Sequence, residues 1–214
     1  MFNTFAAGLD WFGIVIFAIT GALVASRKKM DIVGFILLGT ATGIGGGTIR
    51  DTLLGTLPVF WVTEPGYLVT CVVVSAAMFF LAHIPRSRHK LLLRFDAIGM
   101  AVFAVTGAEK ALLAGSGPVV AAAMGVITAT FGGIIRDLLG GESPLILSRE
   151  IYVSAALAGA AVFIALLACG ASREVGLASG FAAGAALRLA ALRWDWSLPR
   201  YRVDRGRDAD PTQP

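Results

Sequence analysis

Long apolar stretches separated by short polar clusters set the pattern of this chain. Seven of them are long enough, or nearly so, to cross about 30 Å of hydrocarbon at about 1.5 Å per helical residue. They fall near residues 9–26, 32–56, 66–84, 95–114, 117–140, 151–169 and 175–192. The predicted fold class is all-α: a polytopic membrane protein whose seven transmembrane helices form two inverted three-helix repeats plus one extra helix. Repeat one covers about residues 9–84 and repeat two about 95–169, inside a membrane domain spanning 1–197. Residues 198–214, rich in Arg, Asp and Pro, read as a disordered cytoplasmic tail.

The repeat rests on a phrase that occurs twice. Gly46-Gly47-Thr48-Ile49-Arg50-Asp51 and Gly132-Gly133-Ile134-Ile135-Arg136-Asp137 lie 86 residues apart. The same spacing aligns Asp10 with Asp96, Gly13 with Gly99, Phe17-Ala18 with Phe103-Ala104, and Thr20-Gly21-Ala22 with Thr106-Gly107-Ala108. A unit of three spans is odd, so its second copy enters from the opposite face and the copies are inverted. Inverted repeats with glycine-broken helices are a common plan of membrane transport proteins.

Composition narrows the class. The chain has 214 residues, 57% hydrophobic and 15% charged, with mean hydropathy +0.78. Soluble domains average about 25% charged residues. The net charge of +4 comes from residues in short loops and the tail, which read as orientation signals and not as a nucleic-acid surface. Arg50, Lys110 and Arg173 fall on one side of the predicted topology, and the other fifteen of the 18 basic residues on the opposite side. The positive-inside rule then puts the N-terminus outside and the C-terminus in the cytoplasm. The first span lacks a basic leader and reads as retained, not as a signal peptide. Cys71 and Cys169 lie in apolar spans and offer no metal spacing, and His83 and His89 flank a basic loop. No P-loop, zincin helix or serine elbow is present, so no enzyme, resident cofactor or metal is expected.

The candidate chemistry centres on the repeated phrase. Glycine weakens a helix by about 1 kcal/mol relative to alanine, so Gly45, Gly46 and Gly47, and Gly132 and Gly133, predict interruptions of the second and fifth spans. A broken helix bares carbonyl oxygens that suit a dehydrated cation; close helix packing is the other use of such glycines. Arg50, Asp51, Arg136 and Asp137 follow the glycines. Neighbours on a helix point about 100° apart, so the expectation is cross-repeat pairing, Arg50 with Asp137 and Arg136 with Asp51, with surface anchoring as the alternative. Asp10 and Asp96, at predicted helix starts, are caps or vestibule groups. Thr42 and Thr128 either face a pore or bond the preceding carbonyl. Thr48 lies on the same path. Lys110 is either a gate or a snorkelling side chain, and Phe131 either a constriction or packing.

The phrases GGGTIRD and GGIIRD, the Asp-x-x-Gly-x-x-x-Phe-Ala starts at Asp10 and Asp96, and Pro58 and Pro144 resemble the prokaryotic branch of the trimeric intracellular cation channel family. That resemblance covers about residues 9–192 and implies a homotrimer with one pore per protomer, passing monovalent cations, potassium foremost. It implies kinked second and fifth helices, with the glycines and Arg-Asp pairs above as the matching positions. Membrane lipids are the other expected partner. The lysine-rich lipid-binding segment of animal members is replaced here by Leu112-Leu113-Ala114-Gly115-Ser116-Gly117, which argues against phosphoinositide regulation. The alternative reading is a secondary carrier for a small amino acid such as glycine.

Overall fold

A computed structural model describes residues 4–82, 87–147 and 151–197. The expected tail, together with His83, Arg86 and Arg149, lies outside the described residues. Among the described residues eight α-helices follow in order: α1 (Thr4–Arg27), α2 (Ile32–Leu54), α3 (Phe60–Thr63), α4 (Gly66–Leu81), α5 (Arg88–Leu113), α6 (Pro118–Leu139), α7 (Val153–Ala168) and α8 (Arg173–Trp194). A 3-10 turn spans Leu145–Leu147. Five helices (α1, α2, α5, α6 and α8) are long and apolar enough to cross a membrane, while α4 and α7 are shorter apolar helices of 16 residues each. The protein is an all-helical polytopic membrane protein.

Local signals set the helix limits. Asp31, Ser87 and Ser172 each accept a hydrogen bond from a backbone amide three residues on, at 2.8, 3.4 and 3.4 Å, and so start α2, α5 and α8. Pro118 opens α6, where its missing N–H costs no helical bond. Gly55 ends α2 at φ 68°, a left-handed conformation that glycine adopts without a Cβ clash.

Two limits depart from expectation with consequences. α1 begins about a turn before residue 9, and α5 about two turns before residue 95. Asp10 and Asp96 therefore sit inside helices and cap nothing; the cap of α5 is Ser87. The polar residues His89, Lys90 and Arg94 hid the first turns of α5 from a hydropathy reading. The small elements α3 and the 3-10 turn were not expected; each follows an Arg-Asp pair.

α1 and α5 are the central helices: 61% and 72% of their most apolar windows are buried, against 39% for α6 and for α8. Their contact is reciprocal. A methyl on Gly13 would meet the Phe103 ring at 2.9 Å, and one on Gly99 would collide with Phe17. The two rings, 86 residues apart, meet edge to face with centroids 5.0 Å apart.

α2 and α6 cross in the same way. A methyl on Gly132 would stand 2.6 Å from the Thr42 carbonyl oxygen, and one on Gly46 would drive into that of Thr128. As numbering rises from 42 to 46 in α2 it falls from 132 to 128 in α6, so the helices run antiparallel.

Candidate functional site

Gly45, Gly46 and Gly47 lie within an uninterrupted α-helix, as do Gly132 and Gly133. The predicted breaks, and the free carbonyls with them, are absent from both. The reason is one of magnitude. Three glycines cost the helix roughly 3 kcal/mol, whereas each backbone group left unbonded in hydrocarbon costs several, and a break frees several at once. The glycines serve packing instead. Consecutive helical positions face different ways, and each of the three admits a different neighbour: Ile135 at Gly45, the backbone of Thr128 at Gly46, the Phe60 ring at Gly47.

The charged pairs form locally. Arg50 donates from Nε to Asp51 Oδ1 at 2.8 Å and approaches the same oxygen with Nη2 at 2.7 Å. Arg136 Nε bonds Asp137 Oδ1 at 2.8 Å. The expected pairing of Arg50 with Asp137 and of Arg136 with Asp51 does not occur. A long guanidinium stem bends across the 100° between neighbours. The antiparallel crossing, meanwhile, leaves Arg50 and Asp137 at opposite ends of the helix pair, about 20 Å apart along the axis. The second oxygen of each aspartate accepts the amide that opens the next short element: Phe60 N to Asp51 at 2.9 Å, Leu145 N to Asp137 at 2.9 Å. Each Arg-Asp pair thus fastens a helix end to the loop that follows.

Around these pairs stand two half-sites of unequal character. The first, at the C-terminal end of α2, is a cavity of about 400 Å³. Asp10, Arg50, Asp51, Phe60, Glu64, Tyr67 and Lys110 line it. Lys110 Nζ forms an ion pair with Asp10 and lies 5.4 Å from the Phe60 ring centroid, with the Arg50 guanidinium 5.7 Å from the same ring. Both separations fall within cation–π range.

The second, at the C-terminal end of α6, is compact. Arg136 Nη1 donates to Asp96 Oδ1 at 2.6 Å, and both side chains are fully buried. Position 24, which matches Lys110, holds Val24, packed where Gly140 replaces the Leu54 of the first half.

The remaining predicted residues fall as follows. Thr42 and Thr128 are buried and donate to the carbonyls of Leu38 and Met124, each at 2.6 Å, the carbonyl-bonding alternative. Thr48 donates to Ile44 O at 2.7 Å and accepts from Trp61 Nε1 at 3.0 Å. Phe131 is half-buried. Lys110 faces the cavity and does not snorkel away from it. Among the described residues no cluster of metal-ligand type is present.

Sequence reasoning missed Phe60, Glu64, Tyr67, Tyr152 and Arg188. Tyr67 and Tyr152 are equivalent but 85 residues apart, one short of the repeat spacing, so a strict register passes over them.

An all-helical, apolar fold, a close antiparallel crossing of α2 and α6 and a charged cavity at the end of α2 mark a polytopic membrane protein with an internal polar site. A family model described as "Glycine transporter" matches residues 7–83 and 93–168, segments that begin 86 residues apart. The chain is similar to the crystal structure of the TRIC trimeric intracellular cation channel orthologue from Rhodobacter sphaeroides. Identity is 63%, the match covers 91% of this chain and 100% of that one, and the TM-score is 0.89. A second structure, described as giving the basis for conductance through TRIC cation channels, matches at 37% identity over 92% of this chain and 98% of that one, with TM-score 0.83. The inner membrane protein YadS of Escherichia coli K12, of the UPF0126 group, is 43% identical over 92% of this chain and 96% of its own length. The chain belongs to the family of the prokaryotic TRIC proteins and also matches the glycine-transporter model.

Proposed function

We propose that this protein is a passive channel for monovalent cations, potassium foremost, acting as a homotrimer with one path through each protomer. The observation that carries the reading is the cavity at the end of α2. Three carboxylates (Asp10, Asp51, Glu64) face two cations (Arg50, Lys110) there, so its formal charge favours a cation. Kinship with proteins described as trimeric cation channels supports the assembly and the cargo.

The path runs from this cavity beside the α2–α6 crossing, whose glycine faces are filled by the facing helix, with side chains and not bare carbonyls meeting the ion. The glycines, Thr42, Thr128, Thr48 and Phe131 flank that route. Reciprocal contacts at Gly13 and Gly99, and at Gly46 and Gly132, support two inverted three-helix repeats, about 9–84 and 95–169, with α8 as the seventh span. Basic residues gathered at one face support an external N-terminus, which turns the cavity outward and the compact half-site toward the cytoplasm.

Planar-bilayer recording of the purified protein tests this. Discrete unitary steps with a reversal potential set by the potassium gradient are expected; smooth, saturable, counterflow-capable uptake without steps would reject the channel. One observation favours that second outcome. The cavity presents Arg50 and Lys110 beside Asp10 and Glu64, a complement to a zwitterion such as glycine, and the matching family model carries a transporter description.

A further inference from the structure

The two half-sites differ in what lies on their tyrosines. In the first, the Trp11 indole stacks on Tyr67, with centroids 4.2 Å apart and planes 24° apart. The position matching Trp11 is Ala97, fully buried, so the second half has no indole to offer. In its place comes a residue from outside the duplicated unit. Arg188 of α8 sets its guanidinium 5.0 Å from the Tyr152 ring centroid and donates from Nη1 to the Ile151 carbonyl at 3.3 Å. Arg188 is completely buried, and Tyr152 is 2% exposed.

The Tyr152 hydroxyl lies in the neighbourhood of the charged pair. A methyl on Gly133 would lie 3.2 Å from the Tyr152 hydroxyl, 3.6 Å from Arg136 Nη2 and 3.6 Å from Asp96 Oδ1. Tyrosine, arginine and aspartate thus converge on the face that Gly133 leaves open. A buried guanidinium over an aromatic face is a strong form of this contact, because neither group is hydrated. α8 can bring it so near because Gly159 and Gly180 let α7 and α8 touch backbone to backbone.

We propose that Arg188 is the positioning residue of the closed end of the path: it holds Tyr152 against the Asp96–Arg136 pair, and its withdrawal opens that end. The leftover helix α8 is then the keeper of one half-site, doing for Tyr152 what Trp11 does for Tyr67. This rests on the conduction reading for its consequence, though not for its geometry.

Two measurements test it. In single-channel recordings, Arg188→Gln is expected to raise open probability about tenfold at unchanged unitary conductance. Arg188→Lys, which keeps a cation over the ring, is expected to stay much nearer to the unsubstituted protein. Unaltered open probability in assembled Arg188→Gln, or identical behaviour of the two variants, would overturn the proposal.

The second readout needs no current. Ser154, in the first turn of α7, has a buried hydroxyl. In a Cys169→Ser background, Ser154→Cys is expected to resist a membrane-impermeant thiol reagent and to react once Arg188→Gln is added. Equal labelling with and without Arg188→Gln overturns the proposal. If the unsubstituted protein shows no unitary currents, the conduction reading fails while this labelling still decides the role of Arg188. Should Arg188→Gln not fold, Tyr152→Leu removes the ring and is expected to give the same opening and labelling; protection in that variant counts against the proposal.

Discussion

Asp96 holds Arg136 Nη1 at 2.6 Å with both side chains fully buried, whereas Asp10, its equivalent in the other repeat, is held by a lysine of α5 beside a cavity. The repeated motif thus forms a buried clasp in one copy and borders an open, charged cavity in the other. The difference traces to single positions: Lys110 against Val24, Leu54 against Gly140, Trp11 against Ala97.

The clasp and the cavity predict different costs of removing the acid. Asp96→Ala leaves the Arg136 charge buried beside a single remaining carboxylate, and breaking a buried pair costs about 3–5 kcal/mol. Asp10→Ala leaves Lys110 next to a cavity that admits water, and its cost is expected near 1 kcal/mol or below. Thermal unfolding of the two variants in detergent checks this. Equal losses would mean that the two acids are equally buried in their effect on stability.

Much of the scaffold is legible in the sequence because apolar length and the repeated phrase are additive, local signals. Each of the seven predicted stretches overlaps a helix, five of them long and apolar enough to cross a membrane, and the glycines, arginines and aspartates of the repeated phrase are buried. What could not be read was which of two opposed terms wins. Glycine propensity argues for a break at Gly45 to Gly47, but the price of unbonded backbone in lipid is larger and appears only when the surroundings are considered. The partners of Arg50 and Arg136 depend on the antiparallel crossing of α2 and α6, which puts the proposed cross-repeat partners at opposite ends. Arg188 carries no repeat signal at all, and only its position against Tyr152 reveals it.

Local pairing makes a coupling prediction. A double-mutant cycle on Asp96 and Arg136, read from unfolding free energies, is expected to give an interaction of about 2 kcal/mol or more. The same cycle on Arg50 and Asp137 is expected to fall within about 0.5 kcal/mol of additivity, as for residues without a shared partner. Coupling at the second pair would restore the cross-repeat contact that the geometry excludes.

The glycines make a steric one. Gly46→Ala places a methyl against the Thr128 carbonyl, and Gly132→Ala places one 2.6 Å from the Thr42 carbonyl. Backbone cannot yield as a side-chain tip does, so both substitutions must spread α2 from α6, at a cost of about 1–3 kcal/mol each. Gly8→Ala meets nothing within 4 Å and is expected to be neutral or slightly stabilising, since alanine favours the helix by about 1 kcal/mol. Unfolding midpoints of the three variants separate the cases, and a loss at Gly8 equal to that at Gly46 would remove helix approach as the reason for the glycines.

Lys110 contributes one of the two positive charges of the cavity at the end of α2. Its ammonium neutralises Asp10 and lies against the Phe60 ring, with its side chain 17% exposed. Lys110→Gln takes one positive charge from a cavity with three carboxylates and two cations, and so deepens its attraction for cations. Field focusing in a cleft raises local counter-ion concentration, and salt screens it with a Debye length near 30 Å at 0.01 M but about 3 Å at 1 M. Cation conductance of the variant is therefore expected to exceed that of the unsubstituted protein several-fold at low salt and to converge with it in concentrated salt. Conductance recorded over that range checks the sign and the convergence together. A lower conductance at low salt would mean that Lys110 supports the path instead of limiting cation entry to it.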